Sequence, residues 1–326
     1  MSEITFVQAL NQALKEEMER DEKVFLFGED IGMLGGAFTV TKGLFNQFGE
    51  QRVIDTPLAE SSIAGACVGA ALMGMRPVAE IMFSDQLTLA MDHIINAAAK
   101  ARYLHGGAHG APLVIRSAHG ATGRGVGPHH SQSLEALFIH IPGLIVVMPS
   151  NPADAKGLLK SSIRSDDPVI FLEPKSLYFT KGLVPDGEYL IPLGKADIKR
   201  EGNDVTMVVT GAMVWRALNA AETLNKEGIS VEVIDPRTLL PLDKATILES
   251  VKKTGRLITV EESCKTGNFG GEVVAIVAEE AFDCLKVPIK RVAAPDTPVP
   301  ANTFLESFFV PDEKKILDAV HEIFLR

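Results

Sequence analysis

Glu60-Ser-Ser-Ile-Ala-Gly65-Ala-Cys67-Val-Gly69-Ala-Ala-Leu-Met-Gly-Met75-Arg76-Pro77-Val-Ala-Glu80-Ile-Met-Phe83 reads as one acid, a run of small apolar residues, and then a short aliphatic segment. The run from Ser61 to Met75 is apolar all round, which predicts a buried helix. Pro77–Phe83 predicts a strand. A helix feeding a strand is half of a βαβ unit, and the pattern extends in both directions. Val24–Phe27, Leu113–Arg116, Leu144–Met148 and Val169–Leu172 read as further strands, with helix-length segments at Leu87–Tyr103 and Ala153–Ser162 between them. Such alternation predicts a parallel sheet covered by helices on both faces.

From about Glu173 to Lys195 the pattern dissolves into Pro174, Gly182, Pro185, Gly187, Pro192 and Gly194 among charged residues. This reads as a linker. A second series follows, with strands at Val205–Val209, Val231–Ile234, Leu257–Val260 and Ile289–Val292. Helices are expected near Val214–Glu227, Lys244–Lys252, Gly271–Ala281 and Asp312–Phe324. The expected fold is therefore α/β: two open, mostly parallel sheet domains with helices on both faces. The first spans 1–175, a linker 176–195, and the second 196–326. A chain of 326 residues that is 46% hydrophobic has material for two cores.

A formal charge of −10 argues against nucleic acid or an anionic membrane as partner, because both are polyanions. Cys67, Cys264 and Cys284 show no Cys-x-x-Cys spacing, so neither a disulfide framework nor a zinc knuckle is indicated. The longest apolar run is about half of the roughly 20 residues a membrane span needs, and the first residues lack a basic-then-apolar leader. A soluble, cytoplasmic protein is expected.

Glu60 stands where water is scarce, so its carboxylate must be neutralised, protonated or bonded to something that favours a negative charge. The plain alternative is an acid complementing a helix dipole, worth about 0.3–1 kcal/mol. Arg116-Ser-Ala-His119-Gly120-Ala-Thr-Gly123-Arg124-Gly125-Val-Gly127-Pro128-His129-His130-Ser131-Gln132-Ser133 follows a strand and would emerge at the carboxyl edge of the sheet, where ligand sites gather. It is neither a phosphate-binding loop nor a dinucleotide fingerprint, and a mobile surface loop is the alternative. Glu29, after Val24–Phe27, sits at another carboxyl edge. Gly65 and Gly69, four apart, let a neighbouring backbone approach, from this chain or another. His105 and His109 have the spacing of a metal clamp, but Gly106, Gly107 and Gly110 oppose the helix it needs. No Gly-x-Ser-x-Gly elbow occurs.

Taken in order, these residues resemble the beta subunit of the thiamin diphosphate-dependent decarboxylating component of 2-oxo acid dehydrogenase complexes. The resemblance covers essentially the whole chain. It is carried by Asp21–Asp30, Arg52-Val-Ile-Asp55-Thr-Pro57-Leu-Ala-Glu60, Arg76–Glu80, His130-Ser-Gln132-Ser, Pro142–Ser150, Asp154–Leu158, Asp167-Pro168-Val, Asp235-Pro-Arg237 and Thr297-Pro-Val-Pro. It implies an α2β2 assembly with the cofactor between subunits. The alpha subunit holds the diphosphate and magnesium through a Gly-Asp-Gly motif, which this chain lacks. By resemblance, Glu60 bonds the pyrimidine nitrogen, His130 assists acyl transfer to a lipoyl group on an acyltransferase core protein, and Glu29 belongs to a proton path between paired sites. The cofactor contacts implied are Glu60, Phe83 and Gln86. The family usually has an aromatic residue at position 86, so Phe83 or another chain is expected to supply the stacking surface. A potassium ion is implied near Ser162, Ser165 and Asp167. Pyruvate, a branched-chain 2-oxo acid and acetoin are all compatible substrates. Two rival readings are a noncatalytic scaffold subunit and a transketolase-like or deoxyxylulose-phosphate-synthase-like fragment. Such enzymes keep the diphosphate motif on the same chain.

Overall fold

The computed structural model describes residues 1–324. Two compact units divide the chain, Met1–His119 with Leu137–Leu193 and Gly120–Ala136 with the chain from Gly194 onward.

The first unit begins with β1 (Ser2–Thr5), α1 (Phe6–Arg20), β2 (Val24–Gly28), α2 (Leu44–Phe48), β3 (Val53–Asp55), α3 (Glu60–Leu72), β4 (Arg76–Phe83) and α4 (Ala101–Leu104). Next come β5 (Val114–His119), α5 (Glu135–Ile139), which straddles the division, β6 (Ile145–Val147), α6 (Pro152–Arg164), β7 (Val169–Pro174) and β8 (Lys181–Val184). Its sheet runs β6, β7, β5, β4, β2, β3, with every adjacent pair parallel. β5 and β7 are buried along their whole length, as strands covered on both faces must be. Thr5 and Gln8 cap α1 reciprocally, the Gln8 N–H donating to Thr5 Oγ1 at 3.2 Å and the Thr5 N–H to Gln8 Oε1 at 2.8 Å. Asn151 caps α6, with Pro152 opening the helix. Buried Glu17 of α1 receives Arg164 Nη2 of α6 at 2.6 Å and Arg20 Nε at 2.8 Å, which ties the two helices together.

Two expectations change. The helix expected at Leu87–Tyr103 is divided into a 3₁₀ stretch at Ser84–Ala90, a π-helical turn at His93–Ala98 and short α4. A Cβ on Gly65 would lie 2.9 Å from His93 Cε1, so the small face of α3 is matched to this irregular segment of the same chain. A Cβ on Gly69 would meet nothing within 4 Å. The first part of the stretch expected as a linker at 176–195 carries a strand of the first unit, and no helix or strand follows it up to 195. β8 pairs antiparallel with β1, and Tyr178 is buried against Phe6 and Phe38.

The second unit contains β9 (Asp197–Arg200), β10 (Val205–Val209), α7 (Met213–Lys226), β11 (Val231–Asp235), β12 (Thr238–Leu240), α8 (Lys244–Thr254) and β13 (Leu257–Cys264). After them come α9 (Phe269–Glu280), β14 (Lys290–Ala294), α10 (Thr303–Phe309) and α11 (Glu313–Phe324). The sheet order is β14, β13, β10, β11, β9, parallel except for antiparallel β9. Strand alternation assigns the faces. Val205, Met207 and Val209 join α7 and α11 in one core. Thr206 turns the other way, its hydroxyl 2.6 Å from Ser250 Oγ and 2.8 Å from Thr254 Oγ1 of α8. Among the described residues no helix is long and apolar enough to cross a membrane.

Candidate active site

β2, β3 and β4 are parallel neighbours, so their carboxyl ends share one edge of the sheet. Glu29 follows β2, Glu60 opens α3 five residues after β3, and Phe83 ends β4 with Gln86 just beyond. The turn after β2 is fixed by its backbone: Asp30 has φ 56°, Asp55 Oδ1 accepts the Gly32 N–H at 2.7 Å, and the Thr56 N–H donates to Gly28 O at 3.0 Å.

Glu60 is 9% exposed. The helix it opens has Ala59 at its N-cap and no capping side chain, and among the described residues none hydrogen-bonds the Glu60 carboxylate. A mostly buried carboxylate without a protein donor can accept a hydrogen bond from a ligand. Glu29 feels its neighbour: burial pushes the Glu29 carboxyl above its ordinary range, and the charges of Asp30 and Glu60 add to the rise. The two acids thus form an electrostatically linked pair at one sheet edge.

Phe83 meets Phe38 edge-on at 5.8 Å between centroids, and Lys175 Nζ lies over its ring at 5.1 Å. Gln86 is half-buried in the 3₁₀ stretch. Between the strands lies a charged knot that the sequence reading did not assemble. Arg116, 2% exposed, donates Nε to Glu173 Oε1 at 2.7 Å, Nη2 to Glu173 Oε2 at 3.0 Å and Nη1 to Glu80 Oε2 at 2.7 Å. The Tyr178 hydroxyl donates to Glu173 Oε2 at 2.8 Å. Burial works against the Arg116 charge, but Glu173 and Glu80 more than offset it and raise its pKa. A charged residue inside each of three apolar strands was the available signal.

His130 lies on the Gly120–Ala136 loop, which belongs with the second unit. Gly120, Gly123, Gly125 and Gly127 take φ values of 77°, 73°, 67° and 92°, a backbone that side chains other than glycine rarely adopt. The loop is held by two acids from distant sequence. Glu262 of β13 receives the Ala121 N–H at 2.5 Å and Ser133 Oγ at 3.0 Å. Glu306 of α10 receives the N–H groups of Thr122, Gly123 and Gly125 at 3.2, 3.2 and 2.6 Å. The His130 N–H donates to Gly127 O at 3.3 Å, and its side chain is half-buried.

The turn proposed for potassium is internally bonded. Ser162 Oγ donates to Leu158 O at 2.7 Å, Ser165 Oγ to Asp167 O at 3.1 Å, and Arg102 Nε meets Asp167 Oδ1 at 2.5 Å. Among the described residues no group of three or more His, Cys, Asp or Glu is placed to hold a metal. His105 and His109 meet edge-to-face at 6.4 Å between centroids. All three cysteines are free, and burial pushes the Cys67 thiol up to about 12.

Residues 2–181 match the model of the transketolase pyrimidine-binding domain, and residues 194–316 match that of the transketolase C-terminal domain. The chain is 49% identical over 325 residues to the 2-oxoisovalerate dehydrogenase subunit beta of Bacillus subtilis, covering 99% of both chains. It is 48% identical to the pyruvate dehydrogenase E1 component subunit beta of Staphylococcus epidermidis, covering 98% of each. It is 46% identical to the beta subunit of acetoin:2,6-dichlorophenolindophenol oxidoreductase from B. subtilis, covering 98% of this chain and 97% of that one. The fold also matches a solved split-gene transketolase, described as an inactive beta4 tetramer, at a TM-score of 0.80 and 24% identity over 99% of this chain and 98% of that one. The chain belongs to the family of beta subunits of the E1 components of 2-oxo acid and acetoin dehydrogenase complexes, an enzyme family built on the transketolase pyrimidine-binding and C-terminal domains.

Proposed function

We propose that this chain supplies the pyrimidine-facing half of a thiamin diphosphate site shared with an alpha subunit in an α2β2 assembly. The assembly oxidatively decarboxylates a small 2-oxo acid and passes the acyl group to a lipoyl group on an acyltransferase core protein. Acetoin, cleaved beside its carbonyl, is the alternative substrate, because relatives named for either chemistry match at nearly equal identity. The observation that carries this reading is Glu60, a buried carboxylate with no hydrogen-bond partner among the described residues, at the carboxyl edge of a parallel sheet inside a matched pyrimidine-binding domain.

The residues fit the cofactor. A mostly buried carboxylate suits a ring nitrogen that carries a proton. With no Gly-Asp-Gly in the sequence and no metal-holding acidic cluster among the described residues, the diphosphate and magnesium fall to the alpha subunit. When bound, the cofactor supplies a cationic ring that takes up the electron pair of the broken carbon–carbon bond. Glu60 orients the pyrimidine and exchanges a proton with its nitrogen. Glu29, its carboxyl raised above its ordinary range by burial, Asp30 and Glu60, is our position for the proton relay to the paired site. Phe83 and Gln86 line the same edge. His130 donates a proton to the lipoyl sulfur as the disulfide opens, a task suited to imidazole near neutral pH. The turn at Ser162, Ser165 and Asp167 is our position for potassium, with carbonyl and hydroxyl oxygens as ligands because the Asp167 carboxylate already faces Arg102.

Glu60→Gln tests the assignment, since the amide keeps the shape but cannot share the proton. In the assembled complex, exchange of the thiazolium proton followed by NMR is expected to slow by about 10²–10⁴-fold. An unchanged exchange rate removes Glu60 from the mechanism.

A further inference from the structure

Ser133 and the stretch Ala121–Gly125 bracket His129 and His130 in sequence, and both are fixed by carboxylates rather than by sheet or helix. Glu306 is 1% exposed, so its charge is compensated by the three backbone N–H groups that converge on it. Glu262 closes the other end through Ala121 N–H and Ser133 Oγ on one oxygen. The fit is tight at both ends. A Cβ on Gly120 would lie 2.3 Å from Glu262 Oε1, and one on Gly125 would lie 2.4 Å from Ala301 O. Asn302, which caps α10 through the Phe304 and Leu305 N–H groups at 2.9 and 3.2 Å, fixes the helix from which Glu306 projects.

We propose that Glu306 and Glu262 are positioning residues that clamp the glycine-rich loop on either side of His130 and so set where its imidazole stands during acyl transfer. This rests on the role given to His130 above. A loop with four glycines in left-handed conformations has little stiffness of its own. Two carboxylates, Glu306 buried and Glu262 half-buried, supply it by binding backbone N–H groups, because charge-assisted bonds are stronger than neutral ones. Misplacing a reacting group by about 1 Å can cost 10²-fold in rate. Loss of the clamp is therefore felt in the step that uses His130.

The test uses the reconstituted α2β2 complex carrying Glu306→Gln, whose amide must turn an N–H toward at least one of the three donors. Ser133→Ala is a milder second variant that removes one loop donor and leaves both acids in place. Hydrogen exchange at residues 121–125 is expected to speed at least tenfold in Glu306→Gln, and at the Ala121 amide in Ser133→Ala, with β10 and β13 unchanged. The kcat for reductive acylation of a free lipoyl domain is expected to fall about 10–10²-fold in Glu306→Gln, with KM for that domain shifting less than about threefold. In a His130→Ala background the same substitution should cost little more. Unchanged exchange in the loop in both variants would overturn the clamp. A full second loss of rate on top of His130→Ala would show that Glu306 does not act through the imidazole. If His130→Ala alone leaves acyl transfer intact, the role of His130 fails, and the exchange arm still judges the clamp.

Discussion

Glu60 and Glu261 are both buried acids, 9% and 1% exposed, and they meet that condition differently. Glu60 opens a helix that has no capping side chain, and among the described residues none hydrogen-bonds its carboxylate. Glu261, on β13 and 1% exposed, accepts the Gly270 N–H at 3.0 Å on one oxygen while the other has no partner among the described residues. Its carboxyl is pushed from an ordinary 4.5 to about 8, chiefly by burial, with the charge of Glu135 adding to the rise against the Gly270 bond and Arg291. Between those values the folded chain holds a proton that the unfolded chain has released. Its contribution to stability is therefore fully present below pH 4.5, falls as pH rises toward 8, and is flat beyond, at up to about 1.4 kcal/mol per unit. Trp215, the single tryptophan, lies on α7 of the same unit and reports its unfolding. The urea midpoint followed by its fluorescence should decline from pH 4.5 to 8 in the wild type, and Glu261→Gln should remove that part of the slope. An unaltered slope in the variant would show that Glu261 is not the group responsible. Neither Glu261 nor the Arg116 knot was legible beforehand. A lone acid inside an apolar strand looks the same whether its partner is a neighbour or, as for Glu173, 57 residues away. The burial of Glu60 was legible because an acid heading an apolar helix needs no second residue to be recognised.

Regular elements follow the expected pattern closely. Val205–Val209 is a strand over the expected range, and helices at Pro152–Arg164 and Lys244–Thr254 extend expected ones by a residue or two. Runs of β-branched residues and helical spacing are local, so they can be read locally. The failures are elements whose shape is set by contact. The 3₁₀ and π stretches after β4 are shaped against α3, and β8 exists because β1, from the far end of the unit, pairs with it. The His130 loop was legible in its composition and illegible in its fixation, since its anchor Glu306 is 184 residues from Thr122. His130→Ala decides what the loop does. Turnover with a redox dye should stay largely intact, while reductive acylation of a lipoyl domain falls about 10²-fold or more, the scale of a lost general acid. Equal losses in both assays would mean that the histidine only orders the loop.

Across the whole molecule, the chain carries the transketolase pyrimidine-binding and C-terminal domains and no Gly-Asp-Gly motif. The two matched domains account for nearly all of it, and beta subunits of dehydrogenases match it end to end. On the function proposed above, activity is a property of the assembly with an alpha subunit. Calorimetry with thiamin diphosphate and magnesium, run first on this chain alone and then on the chain mixed with its alpha subunit, measures this most directly. The account predicts that the lone chain is folded, shows no tight magnesium-dependent binding and has no decarboxylase activity, and that mixing restores both. Tight, magnesium-dependent binding by the lone chain would contradict it.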